Sequence, residues 1–422
     1  MIKNILGTAF SRIINALLMV FVLWIATKNL GAEVYGNVML IILAVTFIHI
    51  VNNMVGGSAT VYFTSRKQPF LIFVFAYLWA VVVAVSGAFL VSFLGKIPDG
   101  YVYHVMLLTL LLSFTTTNQN ILLGKERIMA FNVISVLQVV MLLATLSYNI
   151  FIANEIVLLS YVKALYASYG AAFVISLFTV SKYIKVVKIS GVKETVKSIM
   201  SYGGRTQIAN VLQFFNYRLS FYILENFINR AALGVFSAGV QLSEGVWIIG
   251  KSVSMVQFSR TANTSDKEYN KILAVNLIKL SFTITALMLI VLLIVPVSLF
   301  VFLFGSEFAE VKIVIITLSI GIVIVPCSMI FSAYFAGIGK PQISTYSTVI
   351  GLAVTVIVGF TIIPLYGIVG AGITASATYL VSAIYLFIMF NRLSGAKLSD
   401  FMIKNSDWSY LYREFKKTFL KR

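Results

Sequence analysis

The stretch that decides the fold is residues 272–304, ILAVNLIKLSFTITALMLIVLLIVPVSLFVFLF, where Lys279 is the one charged residue in an otherwise apolar or small-polar run. A helix that crosses about 30 Å of hydrocarbon needs about 20 residues, so this run is too long for one straight span. The proline ring removes a backbone donor. We therefore predict a membrane-spanning helix that bends near Pro296.

The rest of the chain has the same character. Of its 422 residues, 60% are hydrophobic and 11% are charged, whereas soluble domains have about 25% charged residues. Mean hydropathy is +0.97. This composition excludes a soluble enzyme with a single anchor. The single cysteine, Cys327, and the two histidines also argue against disulfide scaffolds and against zinc or haem sites.

Twelve apolar runs bounded by charges or turn residues predict an all-α polytopic membrane protein with twelve transmembrane helices. The runs are 13–27, 38–58, 70–94, 104–123, 128–151, 156–180, 206–224, 231–258, 272–304, 311–336, 343–363 and 366–390. Most of the 32 lysines and arginines fall in alternate loops and at the two ends of the chain. Because these residues are retained on the cytoplasmic side, we expect both termini there. The net charge of +18 then reflects topology and not a nucleic-acid partner.

Two sets of six spans separated by a basic segment suggest an internal duplication. We expect an N-terminal six-helix bundle at 1–181, a basic cytoplasmic linker at 182–204 and a C-terminal six-helix bundle at 205–390. A basic tail at 391–422 follows, for which we predict an amphipathic helix on the inner leaflet. The apolar face of that helix would contain Trp408, Leu411, Tyr412, Phe415 and Phe419.

Four motifs resemble a known family. They are LGAEVYG at 30–36, ALGVFSA at 232–238, GIGKP at 337–341 and, most specifically, PLYGIVGAGITAS at 364–376. Together they resemble the Wzx-type O-antigen and polysaccharide flippases, the polysaccharide-transporter branch of the multidrug/oligosaccharidyl-lipid/polysaccharide (MOP) exporter superfamily. One departure is Arg218-Leu219-Ser220, where the family pattern leads us to expect Arg-Leu-Asp.

The resemblance implies two six-helix bundles around a V-shaped cavity in the bacterial inner membrane. It implies a flippase, not an enzyme, that passes undecaprenyl-diphosphate-linked oligosaccharide of O-antigen or capsule to the outer leaflet. Alternating access would be driven by an ion gradient or the membrane potential. No cofactor is implied, and H+ or Na+ coupling stays open. The implied partners are membrane lipids, a polysaccharide polymerase and a chain-length regulator.

Five ionisable residues stand out inside predicted spans, where each costs about 2.5 to 3.5 kcal/mol at the centre. They are Lys163, Arg218, Glu244, Lys251 and Lys279. From the helix rise, Arg218 and Glu244 lie roughly 18 to 21 Å from the inner end of their spans, and Lys251 and Lys279 roughly 10 Å. The cations could compensate a diphosphate, with Glu244 pairing with Arg218 or taking a proton. A buried ion pair with snorkelling lysines is the alternative.

Neutral polar residues form a second candidate set. Asn52 and Asn53, with His49, could contact sugar hydroxyls, or could only hydrogen-bond between helices. Asn210, Gln213 and Tyr217 recur at helical spacing and could line a wet cavity or join two helices. Glu244 and Lys251, seven residues apart, are predicted to share one face of the eighth helix.

Two other functions stay open. A multidrug or small-molecule exporter of the same fold would favour acidic groups in the first six spans, which contain none away from their ends. A membrane polysaccharide polymerase or ligase would need a large external loop with acid and base residues, whereas the predicted external loops are short.

Overall fold

A computed structural model of the chain describes residues 2–64, 69–184, 191–264 and 266–402. These residues form α-helices and two short 3₁₀ helices, and no strand occurs among them. In the first half the helices are α1 Ile2–Gly56, α2 Ser58–Thr64, α3 Pro69–Phe93, α4 Val102–Gly124, α5 Ile128–Phe151 and α6 Leu158–Ser181. In the second half they are α7 Val192–Phe227, α8 Arg230–Gly245, α9 Ile248–Ala262, α10 Lys267–Ile294, α11 Val297–Phe304, α12 Val311–Gly337 and α13 Gln342–Ser394.

The predicted twelve-helix architecture agrees with these elements. In the described part of the chain, eight helices are long and apolar enough to cross a membrane, and the bent pair α8 and α9 adds a ninth. Two of the eight, α1 and α13, each contain two helices joined at a glycine with positive φ, Gly31 (φ 77°) and Gly367 (φ 53°). A residue without Cβ takes up this backbone conformation without strain. The predicted span 206–224 lies in α7, which is 36 residues long and more polar than the other helices.

The predicted bend at Pro296 is confirmed. Helix α10 ends at Ile294, and α11 begins at Val297. The break leaves carbonyl groups at the end of α10 without helical partners. Lys312 Nζ donates to the carbonyl oxygens of Leu293 and Val295. A cation at a helix C-terminus also interacts favourably with the helix dipole, so Lys312 stabilises this break.

Contacts divide the described chain into two compact units. The first unit contains α1 to α6, α7 as far as Arg218, and two further segments, Ile228–Ala238 and Ser298–Ala309. The second unit contains most of the remaining second half of the chain. The division into two six-helix bundles at 182–204 stays a prediction. The amphipathic helix predicted in the tail, with its apolar face at 408–419, lies outside the described residues.

The second unit has an aromatic core. The ring of Phe390 packs against Tyr334 and Phe331, with centroids 4.8 and 5.1 Å apart. After α13 the chain reverses at Gly395 (φ 70°), and the ring of Phe401 packs 5.3 Å from that of Phe387. The chain's only cysteine, Cys327, is 8% exposed in this core. Aromatic packing thus holds the end of α13 in place.

Candidate functional site

A cluster of uncharged polar side chains lies inside the first unit between α1 and α4. We term it the neutral cluster, and its members are His49, Asn52, Asn53, Ser113, Thr116, Thr117 and Asn120. The His49 ring joins the two helices, since Nδ1 lies 3.3 Å from Ser113 Oγ and Nε2 lies 3.4 Å from Thr116 Oγ1. Asn53 Nδ2 lies 3.2 Å from the same Nε2.

Asn52 is the most deeply buried member, with no exposed surface. Among the described residues, neither its Nδ2 nor its Oδ1 has a hydrogen-bond partner, and the same holds for Thr117 Oγ1. A Cβ on Gly56 would lie 2.8 Å from Thr117 Oγ1 and 3.2 Å from Asn52 Nδ2. The Gly56 carbonyl accepts from Asn120 Nδ2 at 2.7 Å. Glycine therefore lets α4 approach α1 closely and leaves hydrogen-bonding groups unused in the interior.

Sequence reasoning found only part of this cluster. It identified His49, Asn52 and Asn53 but missed the four members on α4. The signal was present in the run TTTNQN at 115–120, which interrupts an apolar span. Six polar residues in succession cover every face of a helix, so some of them must lie against protein.

The first part of α7 packs against α1 within the first unit, at a place we term the inner contact. Gln207 Nε2 donates to the carbonyl oxygen of Ile50, and Asn210 Nδ2 donates to Gln207 Oε1 at 3.3 Å. A Cβ on Gly203 would collide with the carbonyl oxygen of Met54. Asn210 itself is exposed. The bond from Asn210 to Gln207 lies within α7, so both predicted roles of Asn210 stay predictions. The predicted path role of Gln213 stays a prediction.

A second contact, termed the outer contact, involves the kink at Gly31. This kink takes the Ala32 amide out of the helical hydrogen-bond pattern, and Glu307 Oε2 accepts from Ala32 N at 2.6 Å. Lys28 Nζ donates to the Phe302 carbonyl at 3.2 Å. Segments from the second half of the chain are therefore held to the first half, inside the first unit, at the inner and the outer contact.

The second unit contains the buried cation. Lys279 lies in the middle of α10 and is 8% exposed, and residues 273–279 are all buried. Asn276, nearly one turn earlier, is also buried. A snorkelling lysine follows a lipid-facing surface to the headgroups, whereas protein encloses this one. Intramembrane charges that face the protein interior mark substrate or ion pathways.

The prediction of one continuous eighth helix is wrong. Helix α8 ends at Gly245, α9 begins at Ile248, and the two are bent by 45°. At the break, Trp247 N donates to the Glu244 carbonyl in a tighter turn. Trp247 Nε1 is anchored to the Ile322 carbonyl at 3.2 Å. Glu244 and Lys251 consequently lie on different helices, and the seven-residue spacing no longer places them on one face.

The other ionisable residues predicted inside spans lie in different parts of the structure. Lys163 Nζ lies 2.7 Å from Glu155 Oε2 in a pair whose side chains are 46% and 38% exposed. Lys251 is exposed on α9. Arg218 falls in the first unit and Glu244 in the second. Their path roles stay predictions, and Lys163 has a local partner that accounts for its position.

Comparison with known proteins gives partial sequence matches. No family model matches the chain. It is 25% identical over 175 residues to the capsular polysaccharide biosynthesis protein CapF of Staphylococcus aureus, a match covering 40% of this chain and 44% of that protein. It is 29% identical over 145 residues to an uncharacterised membrane protein of Methanocaldococcus jannaschii, covering 34% and 29%. The chain thus spans less than half the length of each curated relative.

Solved structures match over nearly the whole chain. The lipid II flippase MurJ in an inward closed conformation has a TM-score of 0.76 at 14% identity, covering 100% of this chain and 94% of its own. The chain has the MOP transporter fold. An inward-facing multidrug resistance transporter of the MATE family gives 0.72 at 16% identity, with 90% and 94% covered. A MOP superfamily transporter from Pyrococcus furiosus gives 0.66 at 17%, with 93% and 96% covered. The predicted fold class is confirmed, and the protein is a multi-pass membrane protein.

Proposed function

We propose that this protein is a flippase of the MOP fold. Its substrate would be undecaprenyl-diphosphate-linked oligosaccharide, an O-antigen or capsule repeat unit, moved from the inner to the outer leaflet of the bacterial cytoplasmic membrane. The observation that carries the proposal is the buried Lys279 in the interior of the second unit. An intramembrane charge that faces the protein interior marks a substrate or ion pathway by default.

The neutral cluster is suited to the uncharged sugars of such a substrate. Amides, hydroxyls and an imidazole both donate and accept hydrogen bonds, as recognition of sugar hydroxyls requires. Asn52 and Thr117 still have unused hydrogen-bonding atoms. A lipid-linked oligosaccharide combines a charged diphosphate with neutral sugars. A buried cation is suited to the first of these groups and a cluster of uncharged hydrogen-bonding side chains to the second.

Energy for the movement would come from an ion gradient or the membrane potential. Outward transfer of negative charge down an inside-negative potential is worth about 2.3 kcal/mol per charge per 100 mV. Coupling to H+ or Na+ belongs to the proposal as an open choice. A polymerase and a chain-length regulator would receive the product. The partial match to a capsular polysaccharide biosynthesis protein supports this substrate class.

A multidrug exporter is the second candidate, because MATE transporters share the fold. The first six spans lack acidic residues away from their ends, which disfavours cationic drugs as cargo.

The test is transbilayer movement of undecaprenyl-diphosphate oligosaccharide in vesicles that contain the purified protein. Lys279→Met, which keeps side-chain length and removes the charge, should slow movement at least about tenfold, because a hydrogen bond to a charged group contributes about 1.5 to 3 kcal/mol. Lys182→Met is the matched control and should stay within about twofold of wild type, since this exposed lysine follows the end of α6, outside the predicted spans. A wild type that moves no lipid but exports a soluble cation would refute the flippase proposal.

A further inference from the structure

The outer contact brings together two of the motifs that the sequence analysis singled out, LGAEVYG on α1 and ALGVFSA on α8. A Cβ on Gly36 would collide with the carbonyl oxygen of Arg230, and a Cβ on Gly234 would collide with that of Ala32. The glycine of each motif therefore admits the backbone of the opposite helix. The two motifs form one close helix crossing within the first unit.

The helix that starts after Gly31 is capped from a distant part of the chain. The amides of a helix start are usually bonded by a side chain next to them in sequence. Helix α8 follows this pattern, since Ala232 N donates to Asn229 Oδ1 at 2.8 Å. Ala32 N instead donates at 2.6 Å to Glu307 Oε2, 275 positions away. The start of this helix is therefore capped only while the segment that carries Glu307 stays in place.

The outer contact has a small buried centre and exposed polar bonds. Phe308 is fully buried and Tyr35 is 2% exposed, and their ring centroids lie 6.3 Å apart. Lys28, which donates to the Phe302 carbonyl, and Glu307 are both exposed. A hydrogen bond at an exposed edge can be exchanged for one to water at small net cost. This contact is therefore suited to repeated separation.

The outer contact joins the two halves of the chain on one side of the membrane. The charge distribution assigns the loops that carry these residues to the external side. One side of each contact lies on α1, and the other lies on Ile228–Ala238 or Ser298–Ala309. A transporter that alternates access moves one half against the other. Release of substrate to the outer leaflet then requires that these segments leave α1.

We propose that the outer contact is the extracellular gate of this transporter, that the structure is its closed state, and that the hydrogen bond from Ala32 to Glu307 keeps it closed. Opening moves Ile228–Ala238 and Ser298–Ala309 away from α1, and water then solvates the Glu307 carboxylate and the Ala32 amide. The proposal rests on the proposed function for the identity of the cargo. The opening itself needs no substrate.

The test is a distance distribution from double electron–electron resonance in the full chain, with spin labels on Tyr103→Cys and Ile228→Cys. These side chains are 65% and 39% exposed, and Ile228 belongs to a segment that would move. Glu307→Ala should raise the ratio of long to short distances about tenfold, because a hydrogen bond to a charged group is lost. Glu307→Gln keeps an acceptor without the charge and should give a smaller rise. The matched control Glu310→Ala removes an exposed carboxylate that makes no cap bond and should stay within about twofold of wild type.

A second variant removes the donor of the same hydrogen bond. Ala32→Pro lacks the amide hydrogen, and proline is tolerated at the first position of a helix. Gly31 has a ψ of 171°, an extended value that suits a residue before proline. Ala32→Pro should shift the distances as Glu307→Ala does, and the double variant should shift them no further.

Unchanged distances in both single variants would overturn the gate proposal. An equal shift in Glu310→Ala would also overturn it, since the effect would then come from general charge. Because no substrate is present in these measurements, a chain that opens here as expected but moves no lipid would refute the flippase proposal alone.

Discussion

The neutral cluster of the first unit and the buried Lys279 of the second both place polar side chains in the interior of a mostly apolar chain. They differ in charge and in what surrounds the polar groups. In the first unit, amides, hydroxyls and an imidazole lie close enough to one another to share hydrogen bonds. In the second, one full charge is enclosed by α10 and its neighbours. The two units therefore contain different chemistry in their interiors.

The two arrangements differ in the free energy that burial of their polar groups costs. Neutral groups in the interior cost about 1 to 3 kcal/mol each when unsatisfied, and most of the cluster is satisfied locally. A buried ammonium costs several kcal/mol even after relaxation. The enclosed Lys279 is therefore the more costly of the two arrangements.

The largest effect should come from the charges predicted near the centre of the membrane. Arg218→Gln and Glu244→Gln are each expected to slow lipid movement at least about 100-fold, because a charge kept inside a span costs about 2.5 to 3.5 kcal/mol and marks a transport pathway. The measurement is the initial transport rate in proteoliposomes. Rates within about twofold of wild type in both variants would contradict path roles for the two charges and leave Lys279 as the principal cation.

The second prediction sharpens the description of the neutral cluster by contrasting two buried asparagines. Asn52→Leu removes two unsatisfied atoms, so its melting temperature should not fall, while lipid movement slows about tenfold through lost sugar contacts. Asn118→Leu is the control. Asn118 Oδ1 accepts from Tyr77 at 2.9 Å, and Nδ2 donates to Ser176 at 3.0 Å. That variant should lose about 1 to 3 kcal/mol of stability. Equal loss of stability in both would mean that Asn52 is a packing residue.

The smallest predicted effect concerns the backbone of α7 at the inner contact. Gly203→Ala places a Cβ against the Met54 carbonyl and should destabilise the protein by about 1 to 3 kcal/mol. The adjacent Gly204→Ala meets only the mobile end of the Met54 side chain, 3.3 Å away, and should change stability by less than about 0.5 kcal/mol. Thermal unfolding of the two variants in one detergent measures the difference. Similar melting temperatures would show that the inner contact tolerates separation of α7 from α1.

Local chemistry explains which features could be predicted from the sequence. The helices and the break at Pro296 follow from hydropathy and from the missing proline donor, which depend on a few neighbouring residues. The break between α8 and α9 depends on the Trp247 anchor at Ile322, a residue 75 positions away. The burial of Lys279 likewise depends on which helices surround α10. The position of Lys279 in the sequence cannot distinguish a lysine enclosed by protein from one that snorkels to the headgroups.

The single cysteine has a practical consequence. Cys327 is 8% exposed, and its thiol lies 3.7 Å from the Val323 carbonyl within α12. Buried thiols in apolar surroundings react slowly with water-soluble reagents. Cysteines introduced at chosen surface positions can therefore carry spin labels or fluorophores while Cys327 stays in place. Distances across the inner and the outer contact can then be followed during turnover without first replacing Cys327.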